Sequence, residues 1–134
     1  MPTFVNPRDV HAPVGPYSHT AVVPAGTELV FIAGQVGMAA DGEIPAAFAQ
    51  QADLTFRNLR ACLAAHQLDV DAVVKLNVFL LPGQDFQVLR QIRERHFGSH
   101  RPASTTLYVP ALAAPGFLLE VEAIAVKPVS AGRS

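Results

Sequence analysis

A chain of 134 residues, half of them hydrophobic and 16% charged, is long enough to bury one core without disulfide or metal staples and reads as a single domain. Its formal net charge of −1 offers no general attraction for nucleic acid or an anionic membrane, and no apolar run approaches the roughly 20 residues of a bilayer span. The single Cys62 has no partner for an intramolecular disulfide, and the N-terminus lacks a basic and apolar leader, so a cytoplasmic protein is expected.

In chain order, residues 1–16 are rich in proline and should be extended, apart from a short strand at Thr3-Phe4-Val5. Tyr17 to Val23 reads as a strand, Pro24-Ala25-Gly26 as its turn, and Leu29 to Ala33 as the returning arm of a hairpin. Pro45 suits the first turn of a helix that should run to about Gln67, with Phe48, Ala52, Phe56, Leu59 and Leu63 as its apolar stripe. Val73 to Leu81 reads as a buried strand. Its even positions from Val74 to Leu80 are wholly apolar, while Val73, Lys75, Asn77, Phe79 and Leu81 make a mixed face.

A second helix is expected from the N-cap Asp85 to Phe97, ended by Gly98, with Phe86, Leu89, Ile92 and Phe97 on its inner side. Ala103 to Val109 alternates as a half-buried strand, with Ser104, Thr106 and Tyr108 assigned to the wet side. Phe117 to Val126 forms the last strand. The domain should close at residue 128, and Val129 to Ser134 should be a flexible tail. Such an order suits an α+β sheet with both helices on one face. The other face, with Phe79, Ile124 and Val126 beside Glu120 and Glu122, is expected to be covered by further copies of the chain.

Several short stretches occur together. They are Gly15-Pro16-Tyr17-Ser18, Ile32-Ala33-Gly34-Gln35-Val36, Arg57-Asn58-Leu59, Val74 to Leu80, Arg101-Pro102-Ala103-Ser104, and Glu120 to Val126. In this order they resemble the Rid family of reactive intermediate deaminases, also called the YjgF/YER057c/UK114 family. The resemblance implies a chorismate-mutase-like fold, a homotrimer with an inner β-barrel, and ligand clefts between subunits. It also implies hydrolysis of imines and enamines to 2-oxo acids and ammonia, with no metal or cofactor. Glu120 matches the glutamate that handles the hydrolytic water. Tyr17, Gly34, Gln35, Ser104 and Thr106 fall where the family binds its ligand.

One position departs from the pattern. The family's carboxylate-holding arginine is replaced by Ser104, whose neutral hydroxyl cannot reproduce a bidentate guanidinium contact. Arg101 lies at an odd offset on a regular strand and is not expected to replace it. Glu120 and Ser104 are expected to share a parity and a cleft, and turnover of the standard 2-imino acids is expected to be weak.

Ser104 is read as a pocket hydroxyl rather than a nucleophile, because no histidine is adjacent in sequence to activate it. His96 and His100 have the spacing of a helical metal pair, but Gly98 lies between them and no third ligand is evident, so no metal is expected. Cys62 reads as a packed thiol. The leading expectation is a trimer that binds a small metabolite and hydrolyses an imine or enamine through Glu120. Its alternative is a non-catalytic ligand-binding or protein-interacting trimer. An endoribonuclease ranks third, with neither nucleic acid nor membrane expected as a partner.

Overall fold

A computed structural model describes residues 1–129. The elements are β1 (Thr3–Val5), β2 (Thr20–Val22), β3 (Thr27–Gln35), α1 (Phe48–Ala64), a 3-10 turn (Val70–Ala72), β4 (Val73–Leu80), α2 (Phe86–Phe97), β5 (Ala103–Tyr108) and β6 (Leu119–Pro128). A four-stranded sheet has the order β3-β6-β4-β5, and β1 pairs with β2 in a separate ribbon. β6 is antiparallel to both of its neighbours, whereas β4 and β5 are parallel. A parallel pair cannot be closed by a tight turn, so α2 serves as the crossover between them.

The core lies between this sheet and the helices. Leu76, Val78 and Leu80 of β4 and Leu119 and Val121 of β6 are fully buried against Phe56, Leu59 and Leu63 of α1 and Leu89, Ile92 and Phe97 of α2. Both helices thus pack on one face of a mixed sheet, as the α+β pattern predicts. Among the described residues no helix is long and apolar enough to cross a membrane. The expected tail begins at Val129, which is exposed, and its remaining residues lie outside the described ones.

The predicted hairpin is not present. β2 pairs with β1, and β3 pairs with β6. The cause lies just upstream: Ser18 bridges Ala103 at the β5 edge, the edge opposite β3, so the chain crosses the sheet instead of reversing on itself. The strand expected from Tyr17 is correspondingly confined to Thr20–Val22.

α1 starts at Phe48 rather than near Pro45. The Pro45 carbonyl accepts from the Gln51 side chain instead of opening the helical ladder. At the other end Leu68 N–H reaches Leu63 O and Gln67 N–H reaches Ala64 O, with Gln67 at φ 59. That is a Schellman closure with glutamine in the left-handed position usually given to glycine. α2 begins and ends as expected: Asp85 Oδ1 accepts from Gln87 N and Val88 N, and Gly98 follows at φ 57.

Two assignments of face change. The alternation along β5 is correct, but the side named wet turns toward α2 at Ser104, which pairs with the buried Leu76, and at Thr106, which pairs with the buried Val78, while Tyr108 is 55% exposed as expected. The opposite side, with Thr105 and Leu107, faces out, and Leu107 is 48% exposed. On α2, Phe86 does not join the core but stands 41% exposed, and Arg93 is buried instead. The last strand begins at Leu119 rather than Phe117, although Phe117 is still buried.

Candidate functional site

A cavity of about 490 Å³ opens between the N-terminal segment, α2 and β5. Its position follows from local hydrogen bonds. Ser18 N–H donates to Pro102 O at 3.0 Å and the Ser18 hydroxyl donates to Arg101 O, which lays the preceding residues along the free edge of β5. Tyr17 is thereby brought beside Ser104. Its hydroxyl accepts from Val14 N at 3.3 Å, and its ring stands edge-on to His19, 5.5 Å between centroids. Ser104 and Thr106 enter the cavity from β5, while Phe86 and Leu89 supply an apolar wall from α2.

Arg93 completes this wall and is the residue that the sequence reading missed. It is only 5% exposed. Its Nη1 donates to Ser104 Oγ at 3.1 Å and its Nη2 donates to Pro16 O at 2.8 Å, while Nε is buried without a partner. Among the described residues no carboxylate lies within salt-bridge distance of it. Burial, followed by the charges of Arg101 and Arg90, lowers its pKa to about 10, so it remains a cation at neutral pH. The signal was available in the pattern: Arg93 lies four residues after Leu89 and four before Phe97, on the stripe that faces the core.

Arg101 turns elsewhere, donating to Glu94 Oε1 at 3.0 Å and to Gly98 O at 2.8 Å. Ser104 has a guanidinium beside it, and no histidine donates to or accepts from its hydroxyl among the described residues.

Tyr17, Ser104 and Thr106 therefore meet in one cavity. Glu120, Gly34 and Gln35 do not join them within the protomer. The expected shared parity of Glu120 and Ser104 is overturned by the register: Glu120 lies opposite Phe79 and Ser104 opposite Leu76, an odd offset of three along β4, so the two side chains leave by opposite faces.

Glu120 and Gly34 do form a unit of their own. A Cβ built on Gly34 would stand 1.8 Å from Glu120 Oε2, so only glycine leaves room for the carboxylate to lie over this backbone. Gln35 folds back, its Nε2 donating to Ala33 O at 3.1 Å. Glu122, on the same face as Glu120, accepts from Asn77 Nδ2 at 3.0 Å, a structural contact.

The spaced histidines are used separately. His96 Nε2 meets Asp53 Oδ1 at 2.8 Å, and His100 Nε2 meets the Val73 carbonyl at 2.8 Å. Among the described residues no group of three or more His, Cys, Asp or Glu is placed to hold a metal. Cys62 is partly buried and packs against the core.

Comparison with known proteins adds a family to this geometry. Residues 8–127 match the family model described as Endoribonuclease L-PSP. The human 2-iminobutanoate/2-iminopropanoate deaminase is 32% identical over 116 residues, covering 85% of this chain and 82% of that protein. The structure of YyfB from Yersinia pestis, a Rid-family protein of unknown function, superposes with a TM-score of 0.81 at 26% identity and covers 92% of this chain and 97% of that one. Escherichia coli TdcF, solved with bound serine, gives a TM-score of 0.70 at 30% identity, with 93% and 98% covered.

Proposed function

Because this chain belongs to the Rid family, we propose that it hydrolyses a reactive imine or enamine in a cleft completed between protomers of a homotrimer. The observation that carries this reading is the cavity shared by Tyr17, Ser104, Thr106 and a buried cation, in a chain similar over most of its length to an imine deaminase. Hydrolysis requires a proton on the imine nitrogen, water delivered to the carbon, and collapse of the resulting carbinolamine to a carbonyl and ammonia. A carboxylate can take a proton from the attacking water and return one to the departing nitrogen.

Glu120 is the residue we assign to that role. It stands on the open sheet face, so it acts on a ligand held by a neighbouring protomer's cavity rather than by its own. The apolar character of that face supports assembly: Phe31 is 71% and Leu107 48% exposed there. Three such faces turned inward would bury these side chains and bring Glu120 toward an adjoining cleft.

The test generates imines in situ from amino acids with an amino-acid oxidase and follows both imine disappearance and ammonia. The expected result is decay faster than the spontaneous rate, lost in Glu120→Gln. Decay no faster than in buffer, or equally fast in Glu120→Gln, would overturn the hydrolase reading.

A non-catalytic binding trimer is the second reading, favoured by Ser104 standing where the family resemblance implies an arginine. It predicts a bound metabolite that is never consumed, seen as a thermal shift without turnover. Cleavage of RNA, which the family description names, has no support from a net charge of −1.

A further inference from the structure

The cavity between α2 and β5 holds a charge that no anion among the described residues answers; the Arg93 guanidinium rests only over the Phe97 ring, at 6.0 Å from the centroid. Arg93 is buried, yet both of its bonded partners, Ser104 Oγ and Pro16 O, are neutral oxygens. A guanidinium carries five N–H donors. Two are used, and the Nε–H is buried without an acceptor. A desolvated cation is strongly disfavoured unless an anion completes it, so a buried arginine with spare donors on a cavity wall marks the place where an anion docks.

The neighbouring charges sharpen the point. Arg101 is answered by Glu94 at 3.0 Å, but among the described residues Arg90 has only the Val14 carbonyl, at 3.0 Å. Arg90 and Arg93 both line the cavity, so among the described residues it carries two cations and no carboxylate. Ser104 contributes a second donor. Its oxygen accepts from Arg93, which leaves its O–H free to donate into the cavity. The rest of the lining limits what the anion is attached to, since Val14, Phe86 and Leu89 are apolar and Phe86 is 41% exposed while lining the cavity. A phosphate or a dicarboxylate would leave that wall unused.

We infer that Arg93 of α2, with the Ser104 hydroxyl, anchors the carboxylate of a monocarboxylate ligand whose apolar side chain lies against Phe86 and Leu89. The inference rests on the cleft being the ligand site proposed above, and it assigns the anchoring cation to the helix rather than to the strand position occupied by Ser104. A planar carboxylate matches the fork of a guanidinium and accepts two of its N–H groups together. The preferred ligands are then 2-oxo or 2-imino acids with branched or aromatic side chains, ahead of the three-carbon acid.

Calorimetric titration of the purified full-length protein tests this with 4-methyl-2-oxopentanoate, its methyl ester and pyruvate. The acid should bind at least about tenfold more tightly than the ester and more tightly than pyruvate. Arg93→Gln should remove the acid's advantage over the ester, Arg93→Lys should keep part of it, and Arg93→Gln combined with Ser104→Arg should restore it. Equal affinity for acid and ester, or undiminished acid binding in Arg93→Gln, would overturn the anchor. Pyruvate binding as tightly as the branched acid would overturn the apolar subsite.

Should Arg93→Gln fail to fold, as judged by circular dichroism, the acid-to-ester ratio of the unsubstituted protein decides. Parallel ammonia assays separate this inference from the hydrolase reading. Acid binding that depends on Arg93 without ammonia release sinks only the hydrolase, whereas ammonia release unchanged in a folded Arg93→Gln protein sinks only the anchor.

Discussion

Arg93 and Ser104, on a helix and a strand eleven positions apart, are joined by a 3.1 Å hydrogen bond that places a cation beside the residue where the family pattern led us to expect one. The Ser104 hydroxyl is one of only two hydrogen-bond acceptors that Arg93 has among the described residues. Ser104→Ala should therefore lower stability by about 1–3 kcal/mol, the range for leaving a buried donor unsatisfied. Urea denaturation checks it: the midpoint should fall with the slope unchanged, and Ser104→Thr, which keeps the hydroxyl, should lose less.

The lowered pKa of Arg93 fixes the sign of a pH effect. The folded value, about 10, lies below that of an unfolded arginine, so the buried proton is a burden that is fully present below about 10 and is relieved as pH rises beyond it. Carboxylate binding runs the other way, because it needs the cation. Affinity for 4-methyl-2-oxopentanoate should be flat from about pH 7 to 9 and fall as pH approaches 10, measured by titration at constant ionic strength. Affinity that rises across this range would contradict an anchoring guanidinium.

Gly34→Ala probes the other half of the proposed site. The methyl group would collide with Glu120 Oε2, the far end of a flexible side chain, rather than with backbone. The carboxylate is therefore displaced while the strand remains. Imine turnover should drop toward that of Glu120→Gln, with a stability change under about 2 kcal/mol by thermal denaturation. Full activity in Gly34→Ala would show that the position of Glu120 is not needed.

How much of this was legible in the sequence depended on the range of the interaction. The stripe of α1, the cap at Asp85 and the alternation through the middle of β4 and β6 are written in local spacing and appear as read. The alternation breaks at the paired ends, where Val126, assigned to the open face, is 1% exposed and Val73 is fully buried beside a register shift. The partner of β2 is not local. It is decided by Ser18 docking on Ala103, a contact that no period within either strand encodes. On β5 polarity is a poor guide to solvent: Ser104 turns inward to meet a buried arginine, whereas Tyr108 on the same side is exposed. Arg93 itself was masked by the habit of assigning charged residues to the far side of a helix, although its spacing from Leu89 and Phe97 placed it inside.

Gln67 offers a prediction about stability alone. At φ 59 it occupies the left-handed region that disfavours a side chain by roughly 1–2 kcal/mol, which glycine avoids at a backbone-entropy cost of roughly 0.5–1 kcal/mol. Gln67→Gly should then stabilise the protein by about 0.5–1 kcal/mol without altering ligand binding. A lower thermal midpoint for Gln67→Gly would count against the Schellman closure of α1.

The open sheet face bears most directly on function. Phe31 is 71% exposed and pairs across the sheet with Ile124 on the same face as Glu122, so it adds nothing to the core of its own protomer. If assembly covers this face, a charge there must be desolvated, while the isolated protomer tolerates it. Phe31→Glu should shift the sedimentation mass from trimer to monomer and leave the far-ultraviolet circular dichroism unchanged. Glu120 acts in this scheme only across a protomer boundary, so the same variant should lose imine turnover even though Tyr17, Arg93 and Ser104 are untouched. A monomeric Phe31→Glu protein that still hydrolyses imines through Glu120 would place both groups in one protomer's reach, against the opposite-face register of β4, β5 and β6.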